Sequence, residues 1–349
     1  MKTLSISLMM CAVVLLWSGC GQDDDDPKSS GPSPENCLEV TLQNQFTELP
    51  AKVSVFFKVG NACEGTPVAR LDTSNFVIYE KGRNDDVRQE ISRFEAERKI
   101  SDVGRVFAYN TVLLLDLSGS VSANSLTELK EATKKFIDNA LPEDNKGAYR
   151  MGIWWFDGED KLNPLVAPTA NKLTLKSAVD GINASLSQDN STDLYGAIQK
   201  GVDTTLALFE TFRQKGIISA ASMVVFTDGT DQAARYLRDS AYAAVDLLEE
   251  NSTVFTIGLG GEIDENVLQR LGKTGFAYAE DVTRLEETFV EVGELIWAEA
   301  NSYYLFEYCS PKRDGRGVSE LTIGVLEGSN RGETTTTFDA TGFTSGCNL

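Results

Sequence analysis

The stretch LLLDLSGSVSA, residues 113–123, drives three leucines into an aspartate and then switches to small hydroxyl residues. An apolar run without alternation is the pattern of a strand covered on both faces. A carboxylate at its end is costly to bury unless the charge has a task, so Asp116 asks for an explanation. Apolar, β-rich runs recur around it at 106–117, 149–156, 221–227, 253–259 and 275–279, with helix-like stretches at 124–140, 171–186, 193–213, 234–250, 264–272 and 283–300. Strands alternating with helices predict an α/β fold, a Rossmann-like, doubly wound and mainly parallel sheet with right-handed crossovers. Ligands of such sheets gather in the crevice beyond the carboxyl ends of the strands.

Asp116 stands at that end of its strand, and so does Asp228 in MVVFTDGTD (223–231). The loop NSTDLYGAI (190–198) adds Thr192, and Ser118 and Ser120 follow Asp116 directly. These oxygen-bearing side chains, on three loops, are predicted to converge above one sheet edge. Hydroxyls with two carboxylates suit a hard divalent cation, because Mg²⁺ takes an octahedron of oxygens and keeps several waters. Mg²⁺ is the first expectation, with Mn²⁺ and Ca²⁺ as alternatives. Each piece alone also reads as local structure: Asp116 and Ser118 as caps of the next helix, Thr192 as an N-cap, Asp228 with Gly229 as a turn. Their order and shared placement set the combination apart.

DLSGS (116–120), Thr192 and FTDG (226–229) together resemble the metal-ion-dependent adhesion site of von Willebrand factor type A domains, over about 105–300. The resemblance implies that Ser118, Ser120 and Thr192 offer hydroxyls to the metal, and that Asp116 and Asp228 bind it directly or through water. It also implies a protein partner whose Asp or Glu carboxylate fills the open coordination position. A shift of the last helix, near 283–300, can accompany binding in that family.

Composition narrows the chemistry. The 349-residue chain carries a formal net charge of −20, which repels nucleic acid and anionic membrane surfaces. Histidine is absent, removing Ser-His-Asp and Cys-His nucleophiles and every His-based zinc site. A phosphotransferring hydrolase of the haloacid-dehalogenase type also places an aspartate after its first strand, but it needs a second carboxylate two residues on, where this chain has Ser118. A non-enzymatic module is therefore expected. LGKT (271–274) lacks the first glycine of a phosphate-binding loop, Val267 standing in its place. Asp157, Glu159 and Asp160 in FDGEDK (156–161) read as a charged turn, and Trp154 and Trp155 as sheet packing.

Lys2, the apolar stretch Leu4–Trp17 and the small Ser18 and Gly19 read as a secretory signal over 1–19. Its end resembles a bacterial lipobox, which implies that Cys20 is lipidated and becomes the first mature residue. Residues 20–36, charged and then rich in Ser, Gly and Pro, read as a solvated tether. No later run approaches the roughly 20 apolar residues of a span, so lipid is the expected membrane anchor, in a bacterial cell envelope. Gly21 does not match the aspartate that retains lipoproteins at the inner membrane, which favours the outer membrane of a Gram-negative host. Without lipidation the protein would be secreted.

Cys11 falls in the leader, leaving Cys37, Cys63, Cys309 and Cys347. In an oxidising compartment these predict two disulfides with three possible connectivities. Local pairing of Cys37 with Cys63 and Cys309 with Cys347 is the simplest, each closing a modest loop within one flank. Cross-pairs stay open, because the β-rich flanks 37–104 and 301–349 are each thin for a core of their own. Both flanks are expected to pack into one β-sandwich with the 105–300 domain inserted between them. Two functions fit these readings: an envelope-anchored adhesion module, or a non-adhesive assembly scaffold with a structural metal.

Overall fold

The computed structural model describes residues 36–143, 147–248, 251–312 and 316–349. The expected leader, Cys20 and the tether up to residue 35 lie outside the described residues. The first flank forms β1 (Leu38–Glu48), β2 (Lys52–Asn61), the two-residue β3 (Thr66–Pro67), β4 (Phe76–Lys81), β5 (Gln89–Ile91) and β6 (Arg98–Ser101). The central domain follows with β7 (Phe107–Asp116), α1 (Gly119–Asn124), α2 (Leu126–Ala140), β8 (Tyr149–Phe156), β9 (Asn163–Thr169), α3 (Lys172–Asp180) and α4 (Leu194–Arg213). It continues through β10 (Ile218–Thr227), α5 (Arg238–Asp246), β11 (Ser252–Leu259), α6 (Glu265–Leu271), β12 (Gly275–Ala279) and α7 (Leu285–Ala300). The second flank supplies β13 (Tyr303–Cys309), β14 (Val318–Glu327) and β15 (Asn330–Asp339).

The central sheet runs β12-β11-β10-β7-β8-β9, parallel except for β9. Every residue of β7 is buried, as its unbroken apolar run predicts for a middle strand. Alternate side chains divide between the two faces. Leu113 and Leu115 join the core under Phe136 of α2, Val179 of α3 and Phe289 of α7, whereas Val112 and Leu114 join that under Ile198 of α4, Val245 of α5 and Leu268 of α6. The chain builds outward from β7 to β8 and β9, then returns to β10 on the other side. The carboxyl ends of β7 and β10 therefore flank the point where strand order reverses, the place where doubly wound sheets bind ligands.

Three elements differ from the sequence expectation. The strand β9 follows the FDGEDK turn; Pro164 and Pro168 hide it, yet an edge strand tolerates prolines because its outer N–H groups have no partner strand. The expected helix 171–186 ends at Asp180, where Gly181 and an Asn183 side chain accepting the Ser185 amide (3.1 Å) turn the chain away. The expected helix 234–250 starts only at Arg238, because the residues before it form a loop of the site.

The flanks interleave. One sheet orders β1-β2-β13-β6, with β3 on β2, and the other orders β15-β14-β4-β5, so each contains strands from both ends of the chain. Val53, Val55, Phe57 and Phe306 of the first sheet meet Phe76, Ile78, Leu321 and Ile323 of the second in one core. Disulfides join Cys37 to Cys63 and Cys309 to Cys347, the local pairing. Phe56 points the other way from its β2 neighbours. Its ring lies 5.1 Å from Phe107 and 6.0 Å from Tyr303, locking the sandwich onto the amino end of the central sheet.

Candidate metal centre

Asp116 closes β7 with its side chain fully buried. One carboxylate oxygen, Oδ1, accepts the Ser118 amide at 2.8 Å, and Oδ2 accepts the Thr227 hydroxyl at 2.6 Å. Burial pushes this carboxyl up to about 7; the Thr227 hydroxyl and both the amide and the nearby hydroxyl of Ser118 pull the other way, and the Asp228 charge adds to the rise. Asp228 follows β10 directly and accepts the Ser120 hydroxyl on Oδ1 at 2.8 Å. It too is raised, first by burial, against the Ser120 bond and with the help of Glu262. Ser118 is 1% exposed, and its hydroxyl oxygen makes no well-formed hydrogen bond, lying near the Asp116 carboxylate without aligning on it. A buried hydroxyl without a well-formed hydrogen bond, together with two carboxyls that burial disfavours as anions, is a set of oxygens that fits a hard cation, and a bound ion would oppose both shifts.

Thr192 arrives on the loop before α4 and is 2% exposed. Its carbonyl accepts the amides of Gln232 (2.8 Å) and Ala233 (3.1 Å), tying it to the loop that begins at Asp228. Gly229 passes so near that a Cβ there would stand 3.8 Å from the Thr192 hydroxyl. The Asn190 carbonyl accepts the Gly119 amide at 3.0 Å, joining the same loop to the start of α1. Main-chain bonds thus bring all three donor loops to the β7–β10 crevice. Among the described residues no three Asp, Glu, His or Cys side chains gather to hold a metal, so any cation here relies on hydroxyls.

Sequence reasoning misses the residues that hold the donors. Asp157, expected as part of a charged turn, is fully buried at the end of β8. Its carboxylate accepts the Glu159 amide (2.9 Å), the Ser187 hydroxyl (3.0 Å) and the amides of Gln188 (2.9 Å) and Asp189 (3.2 Å). It thereby shapes the approach to Thr192. Gly158 next to it leaves no room for a side chain, since a Cβ would stand 2.0 Å from the Ser191 oxygen. The signal that finds Asp157 is the one used for Asp116, an acid directly after a buried strand. Asp231 is a second tie, accepting the Tyr195 amide at the start of α4 (3.1 Å) and the Ala234 amide (3.1 Å), where the backbone takes φ 51°.

The sequence model of the von Willebrand factor type A domain matches residues 110–291. No curated protein sequence matches the chain. Among solved structures, a von Willebrand factor type A protein from Catenulispora acidiphila is 12% identical, with TM-score 0.44 over 87% of this chain and 72% of that one. Proximal thread matrix protein 1 from the mussel byssus, with a zinc-occupied MIDAS motif, is 16% identical, with TM-score 0.41 over 60% of this chain and 49% of its own. Manganese-loaded Plasmodium vivax TRAP protein is 13% identical, with TM-score 0.42 over 70% and 98% respectively. The chain spans about half the length of the mussel protein. The family match runs from Asn110 to Glu291, over half of the chain and through every donor loop above, and the chain therefore belongs to the von Willebrand factor type A domain family.

Proposed function

We propose that the chain is a non-enzymatic binding module of the bacterial cell envelope, anchored by lipid on Cys20, that captures a protein through a divalent cation. The observation that carries this is the buried Ser118 hydroxyl, without a well-formed hydrogen bond, beside an Asp116 carboxyl that, like that of Asp228, is held above its ordinary range. Ser118, Ser120 and Thr192 would offer hydroxyls, and Asp116 and Asp228 carboxylates, directly or through water. Mg²⁺ is the ion this hard, all-oxygen set suits best. When bound, it supplies a Lewis-acidic position for an Asp or Glu side chain of the partner. Asp116 and Asp228 bring the site near neutrality, so neutral hydroxyls leave the ion able to attract one more carboxylate. On a chain of net charge −20, that carboxylate would otherwise be repelled.

The test begins with capture from envelope and target-cell extracts in Mg²⁺. The captured protein is then titrated against wild type and Asp116→Ala, each with Mg²⁺ and with chelator, after circular dichroism shows both folded. Binding by wild type in Mg²⁺ alone is expected. Equal binding in all four conditions would remove the adhesion mechanism and leave the assembly-scaffold reading. Mass spectrometry of the mature N-terminus checks the anchor, with an acylated Cys20 as the first residue expected.

A further inference from the structure

Lys200 lies two turns into α4, away from the five donors, yet it touches the loops that carry Thr192 and Asp228 and the loop after β8. Its Nζ is 2.5 Å from Asp160 Oδ1 after β8, 3.7 Å from Asp193 Oδ2 and 4.7 Å from the centre of the Tyr236 ring on the Asp228 loop. The Tyr236 hydroxyl donates to the same Asp160 oxygen at 3.0 Å, closing the ring of contacts. Asp193 is the residue after Thr192. It is 1% exposed, and neither carboxylate oxygen makes a well-formed hydrogen bond, although the Gly196 amide lies beside it. The carboxylate folds over the first turn of α4, where it fits because residue 196 is glycine; a Cβ there would stand 2.2 Å from Asp193 Oδ2. A buried carboxylate so poorly served by hydrogen bonds depends on its counter-charge, and Lys200 is the cation facing it.

The geometry assigns Lys200 as a positioning residue for the cation site: its ammonium holds buried Asp193, and with it the hydroxyl of Thr192, against the loops of Asp160 and Asp228. This rests on reading the site as a cation centre. Lys200 touches none of the donors, so its effect on the ion has two opposing routes. By charge alone an ammonium near the site repels the cation, and its removal would tighten binding. By position it keeps Asp193 from swinging outward and dragging Thr192 along, and its removal would weaken binding. The sign of the change separates the two.

The experiment is calorimetric titration of Mg²⁺ into wild type, Lys200→Met, Lys200→Arg and the double variant Asp193→Asn/Lys200→Met, with melting curves in chelator. Partners of metal ligands are commonly worth 10–100-fold in affinity, so Lys200→Met is expected to bind about tenfold more weakly and Lys200→Arg within about threefold of wild type. The double variant, with no buried charge to hold, is expected to recover most of the loss. Affinity unchanged or tighter in Lys200→Met, or a double variant as weak as Lys200→Met, overturns the assignment. If Lys200→Met does not fold, the double variant decides: near-wild-type affinity upholds the assignment and a tenfold loss overturns it. Wild type that binds no Mg²⁺ overturns the cation reading itself, whereas wild-type binding with Lys200→Met unaffected overturns only the role of Lys200.

Discussion

Glu307 in the sandwich and Asp116 in the central domain are both buried acids on strands, and their neighbours differ in kind. Glu307 accepts hydroxyls from Ser54 (3.0 Å) and Ser101 and has Lys52 and Lys99 within 3.6 Å and 3.5 Å. Burial alone would push its carboxyl up, yet those hydroxyls and ammoniums together hold it below the ordinary range. Asp116 has two hydrogen bonds, no cation beside it among the described residues, and a carboxyl raised to about 7. The sandwich neutralises its acid with its own side chains; the central domain leaves its acid for something else. An acid buried without compensation marks a candidate functional site, and one buried with it serves the structure.

The strongest way to break this division is through the junction. Phe56→Ala opens a cavity shared by both halves and is expected to cost about 3–5 kcal/mol, lowering their unfolding together. A guanidinium melt in which only one of two transitions moves would show that they fold independently. Next comes reduction of the disulfides, whose sequence separations are 26 and 38 residues. Chain-entropy arguments assign each about 3–4 kcal/mol, expected to fall on the sandwich while Mg²⁺ affinity of the still-folded protein stays constant. Loss of that affinity on reduction would make the central domain dependent on staples it does not contain.

The two acids themselves give a smaller and sharper contrast. Glu307→Ala strands two half-exposed lysines and two hydroxyls and is expected to cost about 2 kcal/mol. In chelator, Asp116→Ala is expected to cost less than Glu307→Ala, because removing a group that burial disfavours offsets the stranded Ser118 amide, while the Thr227 hydroxyl keeps the Gly229 carbonyl. Melting temperatures of both variants settle the point, and equal losses would erase the distinction. Glu80 supplies the finest test, being the sandwich acid that breaks the local pattern: Tyr308 donates to Oε1 at 2.7 Å, and Oε2 has no partner. Burial raises its carboxyl above 4.5, against the Tyr308 and Ser310 hydroxyls and the Lys312 charge. Above the unfolded value the folded chain retains a proton that the unfolded chain has released, so this contribution falls as pH rises from about 4.5 through the raised value. Glu80→Gln should therefore gain on wild type in melting temperature as pH rises above about 4.5, and a constant difference would refute the shift.

Much of this is legible in the sequence. The ten-residue burial of β7 follows from an apolar run without alternation, and the crevice follows from the β-α rhythm around it. Asp116 and Asp228 are visible because each directly follows such a run. Asp157 obeys the same rule, but the charges after it, Glu159 and Asp160, make it look like surface. Lys200 is invisible for a different reason. It sits on an amphipathic helix where a lysine is ordinary, and only the fold brings it to Asp160, 40 residues earlier, and to Tyr236, 36 residues later. Pairings of that separation have no local signature. The interleaving of the flanks is foreshadowed only by their thinness.

Insertion of the central domain has a mechanical side. The chain enters at β7 and leaves through α7 into β13, and both crossings lie at the end of the sheet away from Asp116. A pull on the carboxyl end of β7 travels down the length of that strand to reach the sandwich. Parallel ladders to β8 and β10 flank it on both sides, so their hydrogen bonds are loaded in shear, many together, instead of being peeled one at a time. Beyond the junction the load divides between two covalent connections, into sheets whose strands come from both ends of the chain.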